Sequence, residues 1–368
     1  MVLGDGVAGA ARVRDALDAA RDQASLRDQA TALLLAGWLE ASAGNVGQAQ
    51  DDLDGALAAA ERLGDDRVAA DAHRHLAFLR IQQGRPHEVL ASAGRALAVY
   101  RELGLPWETA ASLLLGAFGS IMLGDTPRAT GDATEAVRLL TPIGDAWGMV
   151  HAEAMLGAVA NAEHRFADAA AALTRAAALS ETLGFTGQAA LHLTTLGRVQ
   201  QRSGAPTQAL DTLTRAIVAA TTGGDLRIAA TARIHLARGL RGAGDQAAAR
   251  GLLEENDRWY RAAGGGDGAL LTRCLLAALS AELDPGAAVG DLTGVLEEAR
   301  QQHDLESQTL ALDALARAAA AKGDLPGAAR LLEEADGLHA QVAHSLDDAD
   351  RVDAGAARAA LAPDPGPG

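Results

Sequence analysis

Apolar and small residues recur along this chain with helical spacing, and the pattern repeats over a second, longer period. Short turns stand at Gly44, Gly84, Gly124, Gly204 and Gly244, 40 residues apart, with His164 in the missing place and Asp284 and Gly323 continuing the series. Seven residues before each turn the chain is small: Gly37, Ala77, Ala117, Gly157, Gly197, Ala237, Ala277 and Ala316. Five residues after each turn stand Ala49, Val89, Ala129, Ala169, Ala209, Ala249, Val289 and Ala328. Twelve after, Ala56, Ala96, Ala136, Ala176 and Ala216 keep the register, which weakens at Asn256 and Leu296 and returns at Ala335. Eight before, Leu76, Leu156, Leu196, Leu236, Leu276 and Leu315 alternate with smaller residues. The spacing predicts helix pairs, with small residues where two helices cross and leucine where pairs stack.

The turns carry matching chemistry. Glycine supplies the left-handed end of one helix, and Asp or Pro just after it starts the next. A second set of turns, Leu63-Gly64-Asp65, Leu103-Gly104, Ile143-Gly144-Asp145 and Leu183-Gly184, separates the repeats. The expectation is an all-α chain, a right-handed superhelical solenoid of antiparallel helix pairs, with about eight pairs over residues 25–344. Forty residues before Gly44 lies Gly4-Asp5, followed by Gly9, Val13, Ala16 and Leu17 in second-helix register. Residues 1–24 are therefore expected as the second helix of a truncated repeat, as in the C-terminal part of a longer protein. Residues 345–368 are expected as a C-terminal extension, whose Pro/Gly-rich end from Ala362 to Gly368 is disordered because it cannot continue a helix.

Composition narrows the function classes. Apolar residues make up 49% of the chain but aromatics only 3%, which suits closely approaching alanine-rich helices and not a sheet. The net charge of −16 repels phosphate backbones and argues against direct nucleic-acid binding. A single cysteine, Cys274, excludes an intrachain disulfide and suits a reducing cytoplasm. No run of about 18 apolar residues is present, so no membrane span is expected, and no signal peptide is visible.

The small–turn–small spacing with leucine before the first small residue resembles the tetratricopeptide repeat in a 40-residue form, over roughly residues 5–340. By that resemblance the first helix of each pair lines a ligand groove, with contacts ten, six, three and two residues before the turn. These positions imply an apolar half, Trp38, Phe78, Ile81, Phe118, Ile121 and Met122, and a basic half, Arg198, Arg202, Arg238, Arg241 and Arg317. A protein or peptide with an apolar end and an acidic end fits such a groove. Two other readings stay open. The aromatic residues suit core packing between adjacent first helices, and the arginines suit solvation or pairing with acidic neighbours. Trp107 and Trp147 read as packing residues.

Catalytic, metal and cofactor chemistry is absent from the pattern. Gly264-Gly265-Gly266-Asp267-Gly268 lacks the Lys and hydroxyl of a phosphate loop and reads as a linker. His73 and His75, two apart on a helix, diverge and make a poor metal pair. Cys274 reads as a small buried side chain. The chain also resembles the C-terminal helical regions of large actinobacterial transcriptional regulators with an ATPase core, of the LuxR/MalT-like and antibiotic-regulatory groups. That resemblance implies a sensory, regulatory or self-associating role. A free-standing scaffold is the alternative, and an enzyme on a helical solenoid a remote one.

Overall fold

The computed structural model describes residues 6–20, 23–266, 268–342, 346 and 350–362. Gly4, Asp5, Asp267 and the stretch from Pro363 to Gly368 lie outside them, as do residues 343–345 and 347–349. Every regular element among the described residues is a helix, and the chain divides into two compact units, Met1–Leu183 and Gly184–Gly368.

The first unit holds α1 (Gly6–Ala19), α2 (Leu26–Ser42), α3 (Val46–Leu63), α4 (Asp66–Gln82), α5 (Pro86–Glu102), α6 (Pro106–Met122), α7 (Thr126–Leu140), α8 (Ala146–Ala162) and α9 (Phe166–Thr182). The second holds α10 (Thr186–Arg202), α11 (Pro206–Thr222), α12 (Leu226–Gly242), α13 (Gln246–Ala262), α14 (Ala269–Leu283), α15 (Ala288–Gln302), α16 (Leu305–Ala321), α17 (Leu325–Val342) and α18 (Val352–Leu361). In the first unit α2, α4, α6 and α8 are first helices, each packed on the second helix of its own pair, with α2 also on α4, α4 on α6 and α6 on α8. In the second unit α10, α12, α14 and α16 are first helices, each packed on the second helix of its own pair, with α10 also on α12 and α14 on α16.

Local chemistry explains the boundaries. Gly44 has φ +84° and the turn glycines after it stay left-handed, a conformation only glycine adopts without strain. His164 adopts the same backbone, at φ +59°. The carboxylates of Asp65, Asp125, Asp225, Asp245 and Asp304 each accept an N–H of the first helical turn. Proline starts α5, α6 and α11, where its missing N–H is not needed. One turn departs from its sequence register. Asp284 is extended at φ −138°, and its Oδ1 accepts the N–H groups of Gly286 and Ala287. With no left-handed residue there, α15 begins at Ala288 instead of two residues after the turn.

The small-residue register marks true contact. A Cβ built on Gly37, Gly157 or Gly197 would stand 2.7, 2.8 or 2.5 Å from Cγ of Leu53, Leu173 or Leu213. Each glycine thus receives a leucine from the second helix of its own pair. In two repeats without glycine, Ala77 and Ala117 face register positions held by Ala93 and Ala133, all fully buried or nearly so. In these five repeats volume is exchanged across the crossing, as close packing favours, whereas buried Ala237 and Ala316 share their register with Leu253 and Leu332. The alanines five and twelve residues after each turn are buried from Ala49 through Ala216.

The two ends add helices to the array. α1 packs on α2, and its Arg14 donates to Glu40 at 2.5 Å and to Asp52 at 2.7 Å. Burial works against the Glu40 charge, but hydrogen bonds from Arg14 and Asn45 outweigh it and hold the carboxyl below its usual range. At the other end, part of the C-terminal extension is an ordered helix: α18 packs on α16 and α17 through Ala354 and Ala357, against Ala316 and Leu332.

Candidate functional site

Within the first unit, Trp38 on α2, Phe78 on α4 and Phe118 on α6 stand 40 residues apart on adjacent first helices. Their side chains remain 37%, 37% and 41% exposed, and Met122 on α6 is 39% exposed. The core does not absorb these four: Trp38, Phe78 and Phe118 each follow the buried crossing residue by one position, about 100° round the helix from it. Ile81 and Ile121 are half-buried, and Ile121 packs on the seam of Ala117, Ala129 and Val159.

A second group on the same helices was visible in sequence only in part, as two tryptophans that share a register. Trp107 and Trp147 stack with centroids 6.2 Å apart, and Trp107 Nε1–H donates to Asp145 at 2.7 Å. Trp107 joins the core around Leu113 and Leu140, whereas Trp147 is 43% exposed and meets His151 edge-on at 4.4 Å. The Arg74 guanidinium lies 5.8 Å from the Trp107 ring and donates to His75 Nε2 at 3.2 Å, while His75 faces Trp38 at 6.3 Å. Burial, with Arg74 beside it, pushes His75 down to about 3, so the ring is a neutral acceptor at physiological pH. The readable signal was Arg74 itself, ten residues before its turn, together with the 40-residue spacing of the two tryptophans.

In the second unit the arginines of the first helices are drawn inward. Arg238 and Arg241 on α12 are buried, and Arg198, Arg202 and Arg317 half-buried. Arg241 donates to Glu282 on α14 at 2.6 Å and to Asp353 on α18 at 2.6 Å. Arg317 on α16 shares both carboxylates, at 2.8 Å and 3.0 Å. Arg238 pairs with Glu306 at 2.8 Å and with Asp350 at 3.0 Å. Burial and the neighbouring Arg238 charge lower the pKa of Arg198. The same burial, with Arg198 and Arg238 alongside, holds His235 far below its usual range. Arg351, just before α18, makes two short bonds to buried Asp313, at 2.7 and 2.6 Å, and a third to Asp336 at 2.7 Å. Sequence reasoning found the arginines of the first helices but neither Arg351 nor the particular carboxylates. Nothing in the repeat register points to Asp350 and Asp353, which lie beyond the last repeat.

No group of three or more His, Cys, Asp or Glu side chains is placed to hold a metal among the described residues. Cys274 is buried, its Sγ 3.6 Å from the Ser307 carbonyl, and burial pushes its thiol pKa up. No helix among the described residues is long and apolar enough to cross a membrane.

This architecture matches solved tetratricopeptide-type structures. One is a Signal Transduction ATPase with Numerous Domains carrying a tetratricopeptide repeat sensor, from Pyrococcus horikoshii. It is 12% identical with a TM-score of 0.65, over 90% of this chain and 52% of that protein. The aspartyl phosphate phosphatase F of Bacillus subtilis is also 12% identical, with a TM-score of 0.62 over 92% and 94% of the two chains. A Rap protein complexed with competence and sporulation factor is 17% identical, with a TM-score of 0.54 over 73% and 80%. No family model and no curated protein matches the sequence. The fold is thus all-α helical repeat of tetratricopeptide type.

Proposed function

We propose that this chain is a protein- or peptide-binding helical-repeat module, and that its first unit takes an apolar segment across Trp38, Phe78, Phe118 and Met122. One observation carries the reading. Large apolar side chains recur at 40-residue intervals on adjacent first helices and stay more than a third exposed. Scattered surface hydrophobes need no explanation, but a register of them on one face marks an interaction surface. Aromatics and methionine provide broad, adaptable contact for an amphipathic helix or extended peptide.

The module serves as the sensory, regulatory or self-associating region of a bacterial transcriptional regulator. The likeness to a tetratricopeptide repeat sensor in a Signal Transduction ATPase with Numerous Domains, and to a Rap protein complexed with competence and sporulation factor, supports this reading.

A random 12-residue phage-display library selected on the full chain tests the apolar face. The expected winners carry two or three large apolar residues and lose at least tenfold in affinity for a Trp38→Ala/Phe78→Ala/Phe118→Ala variant. Equal affinity for that variant, with its helical content unchanged, overturns the assignment. Light scattering over a concentration series reports self-association.

A further inference from the structure

The basic face of the second unit is already occupied. Arg238, Arg241 and Arg317 converge from α12 and α16, and the carboxylates that complete their coordination come from Asp350 and Asp353, at the start of α18. We propose that α18 is a removable occupant of this face, and that the face takes an acidic helical peptide, with carboxylates three residues apart, in its place.

Charge supplies the first argument. The chain as a whole carries −16. Yet with α18 and the residues just before it lifted away, Arg238, Arg241 and Arg317 lose Asp350 and Asp353 and keep Glu306 and Glu282. A basic surface inside an acidic protein selects for carboxylates, and arginine forks bind them in fixed geometry. Asp350 stands two residues before α18 and Asp353 is its second residue, so the start of this segment presents one acid to Arg238 and the other to Arg241 with Arg317.

The way α18 is held supplies the second argument. It has ten residues, too few for a helix to persist in water by itself. Its buried apolar contacts are Ala354 and Ala357, with half-buried Leu361 behind them, so little apolar area locks it down. Polar contacts dominate: Asp353 with Arg241 and Arg317, Asp350 with Arg238, and Arg351 with Asp313 and Asp336. The Arg351–Asp313 pair is 1% exposed on both sides, but desolvation of two buried charges offsets most of their attraction. Releasing the pair whole returns both groups to water. A helix held chiefly by ion pairs gives way to a competitor that offers the same ions.

Tethering explains why such a site stays closed. A covalently linked segment acts at an effective concentration in the millimolar range, so a free peptide competes only when it binds better or when the tether is weakened.

The probe is a labelled synthetic peptide of residues 350–361, titrated into the full chain by fluorescence anisotropy. The expected result is at least tenfold tighter binding to Asp350→Asn/Asp353→Asn than to the unaltered protein, abolished by adding Arg238→Gln and Arg241→Gln. Equal binding to both proteins, or tight binding that survives loss of the arginines, overturns the proposal. Hydrogen exchange on the unaltered chain gives a reading that needs no variant. Raising salt from about 0.05 to 0.5 M, which shortens the screening length severalfold, should speed exchange in residues 352–361 at least tenfold and leave 305–321 unchanged. If α18 stays as protected as α16 at both salt levels, it is a fixed cap and the proposal fails.

Discussion

The carboxylate of Asp353 lies 2.6 Å from the guanidinium of Arg241, a contact made across 112 residues of sequence between α18 and α12. Arg241 is also bonded to Glu282, and both acids are almost wholly buried. Arg241→Ala leaves two carboxylates with Arg317 as their remaining shared partner. Breaking a buried pair from one side costs about 3–5 kcal/mol, and Arg317 keeps the loss near the lower figure. Urea unfolding of the variant checks this, and a loss below about 1 kcal/mol would count against a buried lattice.

The contact between Gly197 and Leu213 makes a sharper packing prediction. A methyl group on residue 197 would meet Leu213 Cγ at 2.5 Å. Gly197→Ala is expected to destabilise by about 1–3 kcal/mol, because overpacking forces the leucine or the helices to shift. Gly197→Ala/Leu213→Ala should cost less than the sum of the two single changes, since alanine faces alanine at the equivalent crossings of the second and third full repeats. Strict additivity in that double-mutant cycle would refute the exchange of volume.

His164 holds a left-handed backbone at φ +59° where sister turns have glycine. Left-handed geometry costs a β-carbon-bearing residue about 1–2 kcal/mol. Part of that is recovered here by the edge-on contact of His164 with Phe166 at 5.7 Å. His164→Gly removes the strain and the ring contact, and adds freedom to the unfolded chain. A net gain of about 0.5 kcal/mol is expected. A thermal melt that falls instead of rising would show that the ring contact dominates.

Acid sensitivity follows from the half-buried histidines. His75 is held at about 3, and burial also lowers His73 and His151. Their folded pKa values lie below the unfolded value near 6.5, so the unfolded chain binds more protons. Stability is therefore insensitive to these groups above about pH 7 and declines as pH falls from about 6.5 towards 5, before carboxylates titrate. Urea midpoints at pH 7.5 and 5.0 measure the decline, and His75→Gln should shrink it. A midpoint unchanged across that range in the unaltered protein would contradict the burial of all three rings.

Much of the first unit was legible because a repeat writes one packing problem several times. The starts of α4, α6 and α8 fall 40 residues apart, at Asp66, Pro106 and Ala146, as the glycine turns require. The same register placed Trp38, Phe78 and Phe118 at equivalent positions but left open whether the core absorbs them. The shared register of Trp107 and Trp147 was legible, but their stacking and the reach of Arg74 to Trp107 were not, because side-chain reach between repeats is not encoded in a periodic pattern. The same limit applies at Asp284, whose position continues the turn series while its backbone is extended and its side chain caps a later start.

Sequence alone determined the helical repeat, its register, its turn chemistry and the identity of the arginines on the second unit's first helices. Those properties depend on local propensity and on spacing, which a one-dimensional pattern carries in full. Tertiary structure decided what those arginines touch. A guanidinium takes whichever carboxylate folding brings within about 3 Å, and Asp353 on α18 and Asp350 just before it arrive from outside the repeat period, through α18 packing on α16 and α17.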